Sequence, residues 1–277
     1  MQHIGFVLKR GDDHAISLGQ EISRFVKREG KDILVEAGLD ELARTLDAVP
    51  SSNIADEADL LIVLGGDGTI LRAASLINAK RVPVLGVNLG RVGFMAEVSP
   101  HEAVTELQSV FEGTGILVER MMLQIALPDA GTKRVLNDVV IHWGHQARLI
   151  DLGLRIGDGE EIECRADGLI VSTPIGSSAY SYAANGPLVH PEIDAIIVTP
   201  ICPYFGLKRP LLIPPELETE LVLHKGEDLT LTLDGHTTMN LERGQSIRIR
   251  RSPVPFVMVK SKARDYFALL RDKLGFL

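Results

Sequence analysis

Leu60-Leu61-Ile62-Val63-Leu64-Gly65-Gly66-Asp67-Gly68-Thr69 is the stretch on which the fold turns. An uninterrupted apolar run that ends in two glycines and passes into the helix-like segment 70–79 reads as a buried strand opening into a helix. Such a turn aims free backbone N–H groups and the positive end of the helix dipole at one spot, which suits a phosphate. Asp67 is out of place in an anion cradle unless it does chemistry or faces a metal. The chemistry it fits is phosphoryl transfer to a hydroxyl whose proton must be removed. Asp-Gly is also a common tight-turn dipeptide, so the motif by itself leaves a plain turn open.

On either side of this stretch the chain keeps one rhythm as far as residue 116. Short apolar runs at 4–8, 33–35, 60–64 and 82–87 alternate with helical spacings such as Ile16, Ile22, Phe25 and Val26. This βαβ pattern predicts a parallel sheet with helices on both faces. Beyond residue 116 the period is close to two, with short strands expected at 121–127, 135–142, 149–156, 195–198, 221–223, 229–233, 246–249 and 256–259. An antiparallel, all-β domain follows from that change. Residues 263–274 return to helical spacing, with Phe267, Leu270 and Leu274 on one face of a helix that folds back on the first domain. The expected division is therefore an α/β domain over 1–118 with 260–277, and an all-β domain over 119–259.

Composition sets outer limits. At 277 residues and 45% hydrophobic, the chain can bury a substantial core and is long enough for two domains. A formal charge of −8 excludes a broad electrostatic footprint for nucleic acid or an anionic membrane, so an anionic ligand must be held by local groups. No apolar run approaches a membrane span, and residues 1–10 are too short and too interrupted for a signal peptide, so cytoplasm is the expectation. Cys164 and Cys202 lack a partnering spacing and read as small apolar groups. His101, His190 and His224 lack metal-ligand spacing, and His142 with His145 reads as part of a turn.

Three further segments carry polar groups where packing alone has little use for them. Residues 88–94, Asn-Leu-Gly-Arg-Val-Gly-Phe, follow a predicted strand at the carboxyl edge, where open α/β sheets place ligands. Asn137-Asp138 interrupts an apolar run at a desolvation cost, which a bulge or a surface edge would also explain. Residues 166–181 combine a strand, a turn and a dense set of hydroxyls at Ser172, Thr173, Ser177, Ser178, Tyr180 and Ser181.

Taken together, these segments resemble the NAD kinase family, which phosphorylates the 2′-hydroxyl of the adenosine ribose of NAD to make NADP. The phosphate-loop motif is matched by residues 65–69 with Arg72 following, the Asn-Glu motif by Asn137-Asp138, and the long Asp-Gly and Thr-Pro-x-Gly-Ser-x-Ala-Tyr signature by residues 167–180. A Pro-flanked loop matches 201–210, and a later Asp-Gly turn is Asp234-Gly235-His236. The resemblance implies an N-terminal α/β domain, an all-β second domain and a homodimer or homotetramer whose partner subunit borders the site. It implies ATP as donor with a divalent ion, Mg²⁺, as companion. Asp67 is then the general base, with Gly66, Gly68, Thr69 and Phe94 on the substrate side of the phosphate loop. Asn137 and Asp138 hold the adenosine ribose. Asp167 stands on the nicotinamide side of NAD, with Arg165 and Arg148 as basic neighbours. Thr173 is a nucleotide-binding residue, Ser178, Ala179, Tyr180, Ser181 and Ala183 belong to the adenine-binding stretch, and His236 occupies a position usually held by glutamine.

Several positions depart from the family pattern. Asp138 stands where glutamate is usual, Ile175 for a threonine or serine, Ser178 for a threonine, Ala183 for a serine, Asn185 for a glycine, and Trp143 for a small or basic residue. A lipid kinase of the related superfamily would share 65–69 but needs an apolar or basic docking surface, of which the acidic balance gives no sign. A non-catalytic dinucleotide sensor would keep the pocket and lose Asp67.

Overall fold

Strand Leu60–Gly65 is buried along its whole length, and the sheet round it is built from parallel pairings to His3–Leu8 on one side and Pro83–Asn88 on the other. The described strands run in the order Val49–Ser51, Asp32–Glu36, His3–Leu8, Leu60–Gly65, Pro83–Asn88, Phe256–Lys260, Ile116–Arg120. Helix Asp13–Arg28 starts where the Asp12 carboxylate accepts the His14 and Ala15 N–H groups. It lays Ala15, Leu18, Ile22 and Val26 into one cluster with Ile4, Phe6, Leu60, Ile62 and Leu64. The computed structural model describes residues 1–90, 93–128, 130–143, 149–225, 229–261 and 265–275.

The chain divides into a unit of Met1–Glu119 with Phe256–Leu277 and a unit of Arg120–Pro255. Residues 256–259, read from the sequence as a strand of the all-β domain, instead join the parallel sheet beside Pro83–Asn88. The reason is legible in hindsight: Phe256, Val257, Met258 and Val259 are all buried, as a strand covered on both faces requires. Helix Tyr266–Leu274 belongs to the first unit, as expected; of the predicted stripe, Leu270 and Leu274 are half-buried and Phe267 is exposed. Its start is fixed locally, by the Asp265 carboxylate on the Ala268 N–H at 3.1 Å.

The second unit is all β. One sheet runs Phe205–Gly206, Ile162–Ala166, Ile150–Ile156, Thr219–Lys225, Ser246–Arg251, Leu123–Leu127, Gly131–Val135. The other runs Leu211–Ile213, Ile196–Ile201, Gly168–Ser172, Asp138–Trp143, Leu229–Leu233, Thr237–Leu241, and adjacent strands pair antiparallel. Period-two alternation sends Val139, Ile141, Leu169, Val171, Leu229, Leu231 and Leu233 into one core with Ile125, Leu152, Leu221 and Ile247 of the first sheet. The strand expected over 135–142 is broken in two. Gly131–Val135 ends in one sheet and Asp138–Trp143 begins in the other, because the N–H groups of residues 136, 137 and 138 bond a side chain instead of a ladder.

Candidate functional site

In the first unit the strand ends at Gly65 and helix Asp67–Leu76 begins two residues on. The turn is tight enough that a Cβ on Gly65 would sit 2.2 Å from the Thr69 hydroxyl, so only glycine closes it over the buried threonine. The Thr69 and Ile70 N–H groups turn back to the Gly66 carbonyl at 2.9 and 3.2 Å, which starts the helix earlier than residue 70. Gly66 and Gly68 stand in open space, the first partly and the second well exposed. The motif thus leaves a backbone surface that a ligand can approach closely.

Asp67 is half-buried and its carboxylate is clamped. Oδ1 accepts the Met95 and Ala96 N–H groups at 3.0 and 3.1 Å, and Oδ2 accepts the Phe94 N–H at 2.9 Å. Phe94 therefore serves the site through its backbone. Gly93 is a requirement of this clamp, since a Cβ there would lie 2.0 Å from Asp67 Oδ1. Three backbone donors fix the carboxylate's orientation, and Oδ2, with one donor, keeps the greater acceptor capacity. Arg72 is turned away to other work: its guanidinium pairs with Glu36 and donates to the Leu8 carbonyl at 2.7 Å. Sequence reasoning left Asn88 unassigned within its loop. It is buried, stands in register with Gly65, accepts the Gly90 N–H at 3.1 Å, and keeps a buried Nδ2 with no partner among the described residues.

The second unit holds a cavity of about 320 Å³ lined by Asn137, Asp138, Val140, His142, Ala179, Tyr180, Thr232, Asp234 and Gly235. Alternation builds it, because Asp138, Val140 and His142 lie on the face of their strand opposite the core residues Val139 and Ile141. Asp234, in the left-handed region at φ 49°, accepts the N–H groups of Leu136, Asn137 and Asp138 at 2.9, 2.7 and 3.1 Å and returns its own N–H to the Asp138 carbonyl at 3.0 Å. It is buried, and so is Asp138. Burial first, and the neighbouring Asp234 second, push the Asp138 carboxyl up to about 7. Burial also holds the Asp234 carboxyl above the usual carboxylate range, and its three backbone bonds and His236 offset only part of that rise. The Asn137 Oδ1 is a buried atom without a hydrogen-bond partner among the described residues.

The predicted site residues separate on this geometry. Asn137, Asp138, Ala179 and Tyr180 come together at the cavity. Thr173 and Ser181 are fully buried behind it as scaffold: the Thr173 hydroxyl donates to the Leu136 carbonyl at 2.6 Å and accepts the Gly176 N–H, and the Ser181 hydroxyl pairs with Thr199 at 2.8 Å. Ser178 bonds the Ile175 carbonyl at 3.0 Å. Ala183, Asp167, Arg165 and His236 are exposed and are not lining residues, and Arg165 pairs with Asp151 at 3.2 Å. Arg148 lies outside the described residues. His142 and Asp234 were missed as site residues. The signals for them were present, as a histidine on the polar face of a period-two strand and an Asp-Gly turn.

Comparison with known proteins follows the same division of the chain. Residues 4–115 match the model of the ATP-NAD kinase N-terminal domain, and residues 136–261 match that of the ATP-NAD kinase C-terminal domain. The chain is 38% identical over 279 residues to an NAD kinase of Geotalea daltonii, covering 99% of this chain and 98% of the relative. It is 40% identical over 283 residues to an NAD kinase of Magnetococcus marinus, covering 99% and 93%. Among solved structures it is similar to yeast NADH kinase in complex with NADH, with a TM-score of 0.91, 26% identity and coverage of 100% of this chain and 88% of that one. It is also similar to an NAD kinase from Archaeoglobus fulgidus in complex with ATP, with a TM-score of 0.79, 27% identity and 99% coverage of both chains.

Proposed function

The chain belongs to the NAD kinase family and is an ATP-dependent phosphotransferase acting on NAD, and we propose that Asp67 is its general base. The reaction moves the γ-phosphoryl of ATP to the 2′-hydroxyl of the adenosine ribose of NAD, giving NADP and ADP. A ribose hydroxyl is a weak nucleophile at neutral pH, so a carboxylate within hydrogen-bond reach is the simplest activator. The observation that carries this reading is the clamp on Asp67. Phe94, Met95 and Ala96 hold the carboxylate in one orientation, and Oδ2 retains the acceptor capacity that the departing proton needs. The open backbone at Gly66 and Gly68 and the start of helix Asp67–Leu76 supply donors for the phosphates of ATP.

Asn137 and Asp138 hold the adenosine ribose, and Ala179 and Tyr180 border the nucleoside beside them. The divalent ion enters as part of the donor. Among the described residues no group of three His, Cys, Asp or Glu is placed to hold a metal, and the Asp67 oxygens already face backbone donors. In this reading Mg²⁺ comes with ATP as its counter-ion, and no step is assigned to a protein-held metal. The enzyme works in the cytoplasm as a homodimer or homotetramer, and no helix among the described residues is long and apolar enough to cross a membrane.

Incubation with ATP, Mg²⁺ and NAD, read by an NADP-specific dehydrogenase, tests the activity. NADP should accumulate in proportion to enzyme, and its absence would overturn the reading. Light scattering across a dilution series beside the same assay tests the assembly, and a fully active monomer would remove it.

A further inference from the structure

Two carboxyls line the cavity of the second unit, and the groups that face them decide how many charges they hold. The turn supplies Asp234 and, beside it, His236, whose Nδ1 lies 2.9 Å from the Asp234 carbonyl oxygen. The strand Asp138–Trp143 supplies Asp138 and His142, the strand Leu229–Leu233 supplies Thr232, and Tyr180 closes the rim. On the adjoining strand the register partner of Asp138 is Ser172, buried and uncharged. His142 spends its ring within the sheet, with Nδ1 at 2.6 Å from the Trp143 carbonyl and Nε2 at 3.4 Å from the Thr232 hydroxyl. Among the described residues, no lysine or arginine lines the cavity. Two unpaired negative charges in one buried cavity are costly, so one carboxyl must yield. Asp234 has three backbone N–H bonds to an ionised carboxylate, including one from Asp138 itself, and charge-assisted bonds of that kind favour the charged form.

We propose that the pair carries a single negative charge seated on Asp234, and that Asp138 meets the ligand as a protonated carboxyl, an O–H donor, with Asp234 as its positioning residue. The ligand part rests on the reading that this cavity takes the adenosine ribose of NAD. Asp234 also lines the cavity, and its part in this proposal is played through its neighbours. Its carboxylate fixes the backbone of residues 136–138, and its charge keeps the proton on Asp138. The acceptor for that O–H is a ribose oxygen. Near neutrality the proton is finely held, because burial and Asp234 push the Asp138 carboxyl up to about 7. Above that pH the donor is lost and a second negative charge appears, so NAD binding weakens on the alkaline side.

Isotope-edited infrared spectroscopy of the full-length protein carrying ¹³C-carboxyl aspartate reads the proton directly. The protonated carboxyl band of Asp138 is assigned by its loss in Asp138→Asn. It should persist at pH 6 and disappear with an inflection near neutrality, and Asp234→Asn should move that inflection at least one pH unit toward acid. The KM for NAD should rise about five- to tenfold between pH 6 and 8.5 in the wild type, with kcat changing less. In Asp234→Asn it should rise three- to tenfold at pH 6, and its own pH profile should shift together with the infrared inflection. A merely structural role for Asp234 would move neither inflection. Asp138 ionised at pH 6 in the wild type overturns the shared charge even if Asp234→Asn fails to fold. The expected infrared inflection with a flat KM profile overturns the donor role. Failure of the ribose reading looks different: the infrared titration stands while the wild type makes no NADP at any pH.

Discussion

The two units use one device for different ends. In each, an aspartate accepts three successive backbone N–H groups: Asp67 takes those of Phe94, Met95 and Ala96, and Asp234 takes those of Leu136, Asn137 and Asp138. The surroundings separate them. Asp67 is half-buried at the end of a parallel strand, beside exposed glycines, with spare acceptor capacity on Oδ2. Asp234 is buried beside a second carboxyl. Clamping by itself therefore does not make an aspartate a base. It fixes a charge in place, and the roles proposed for the two, base for Asp67 and positioning residue for Asp234, rest on the difference in access.

The hardest test of the contrast is to neutralise the accessible member. Asp67→Asn should lower kcat by about 10²–10⁴, or roughly 3–5 kcal/mol of transition-state stabilisation, with NAD binding retained. An asparagine can face the Met95 and Ala96 N–H groups with its oxygen, but it then turns an NH₂ group toward the Phe94 N–H. Stability should fall by about 1–3 kcal/mol as well. Turnover near that of the wild type would end the assignment.

Neutralising a carboxyl in the second unit should do the opposite to stability. Folded Asp138 keeps its proton up to about 7, against 3.8 for the ordinary group, so between these values the folded chain binds a proton that the unfolded chain has released. Stability present below about pH 4 is thus progressively lost as pH rises to 7, and the loss is on the order of 2–4 kcal/mol above that. Asp138→Asn should therefore leave the melting temperature nearly unchanged at pH 4 and raise it at pH 8. Thermal melts at the two values check this, and equal effects at both would show that Asp138 is not protonated in the fold.

This contrast also shows what the sequence made legible. Asp67 stood out because its anomaly is local: a carboxylate among glycines at a strand end is unusual in the sequence, whatever the N–H groups it turns out to capture. The parallel sheet was readable from runs such as Leu60 to Leu64, and the second unit from its period of two. The partners of Asp67 were harder, since Phe94, Met95 and Ala96 contribute only N–H groups, which every residue but proline has. Asp234 was seen as a turn and not as a site, because its work depends on a sequence separation of 96 to 98 residues. The same long-range capture explains why 135–142 was read as one strand. Residues 256–259 were assigned to the wrong sheet because a short apolar run looks alike in both, and only its burial on two faces tells them apart. Asn185, standing where the family resemblance expects glycine, adopts φ 64°, a conformation that asparagine tolerates better than most residues.

A milder way to break the first clamp leaves the carboxylate in place and moves the loop. Gly93→Ala puts a Cβ 2.0 Å from Asp67 Oδ1, so the loop must retreat or the carboxylate must turn. Either change disorients the base without removing it. kcat should fall about tenfold, near 1.4 kcal/mol, while the KM for NAD moves less than threefold. Steady-state kinetics separates the two parameters, and an unchanged kcat would mean that the orientation of Asp67 is set elsewhere.

The smallest effect is expected at Ala183, and it marks the edge of the second region. The family resemblance puts a serine there against the nucleotide, and one added hydrogen bond would be worth about 0.5–1.5 kcal/mol, a two- to tenfold lower KM for NAD. The structure leaves Ala183 exposed at the end of the short helix Tyr180–Ala183 and outside the cavity lining, where Ala179 and Tyr180 already stand. A hydroxyl in water exchanges one set of hydrogen bonds for another. Ala183→Ser should then change the KM for NAD by less than twofold and leave kcat unaltered. A KM lowered threefold or more would extend the nucleotide's contacts past Tyr180 to the end of the helix, and would make the missing hydroxyl a true loss in this chain.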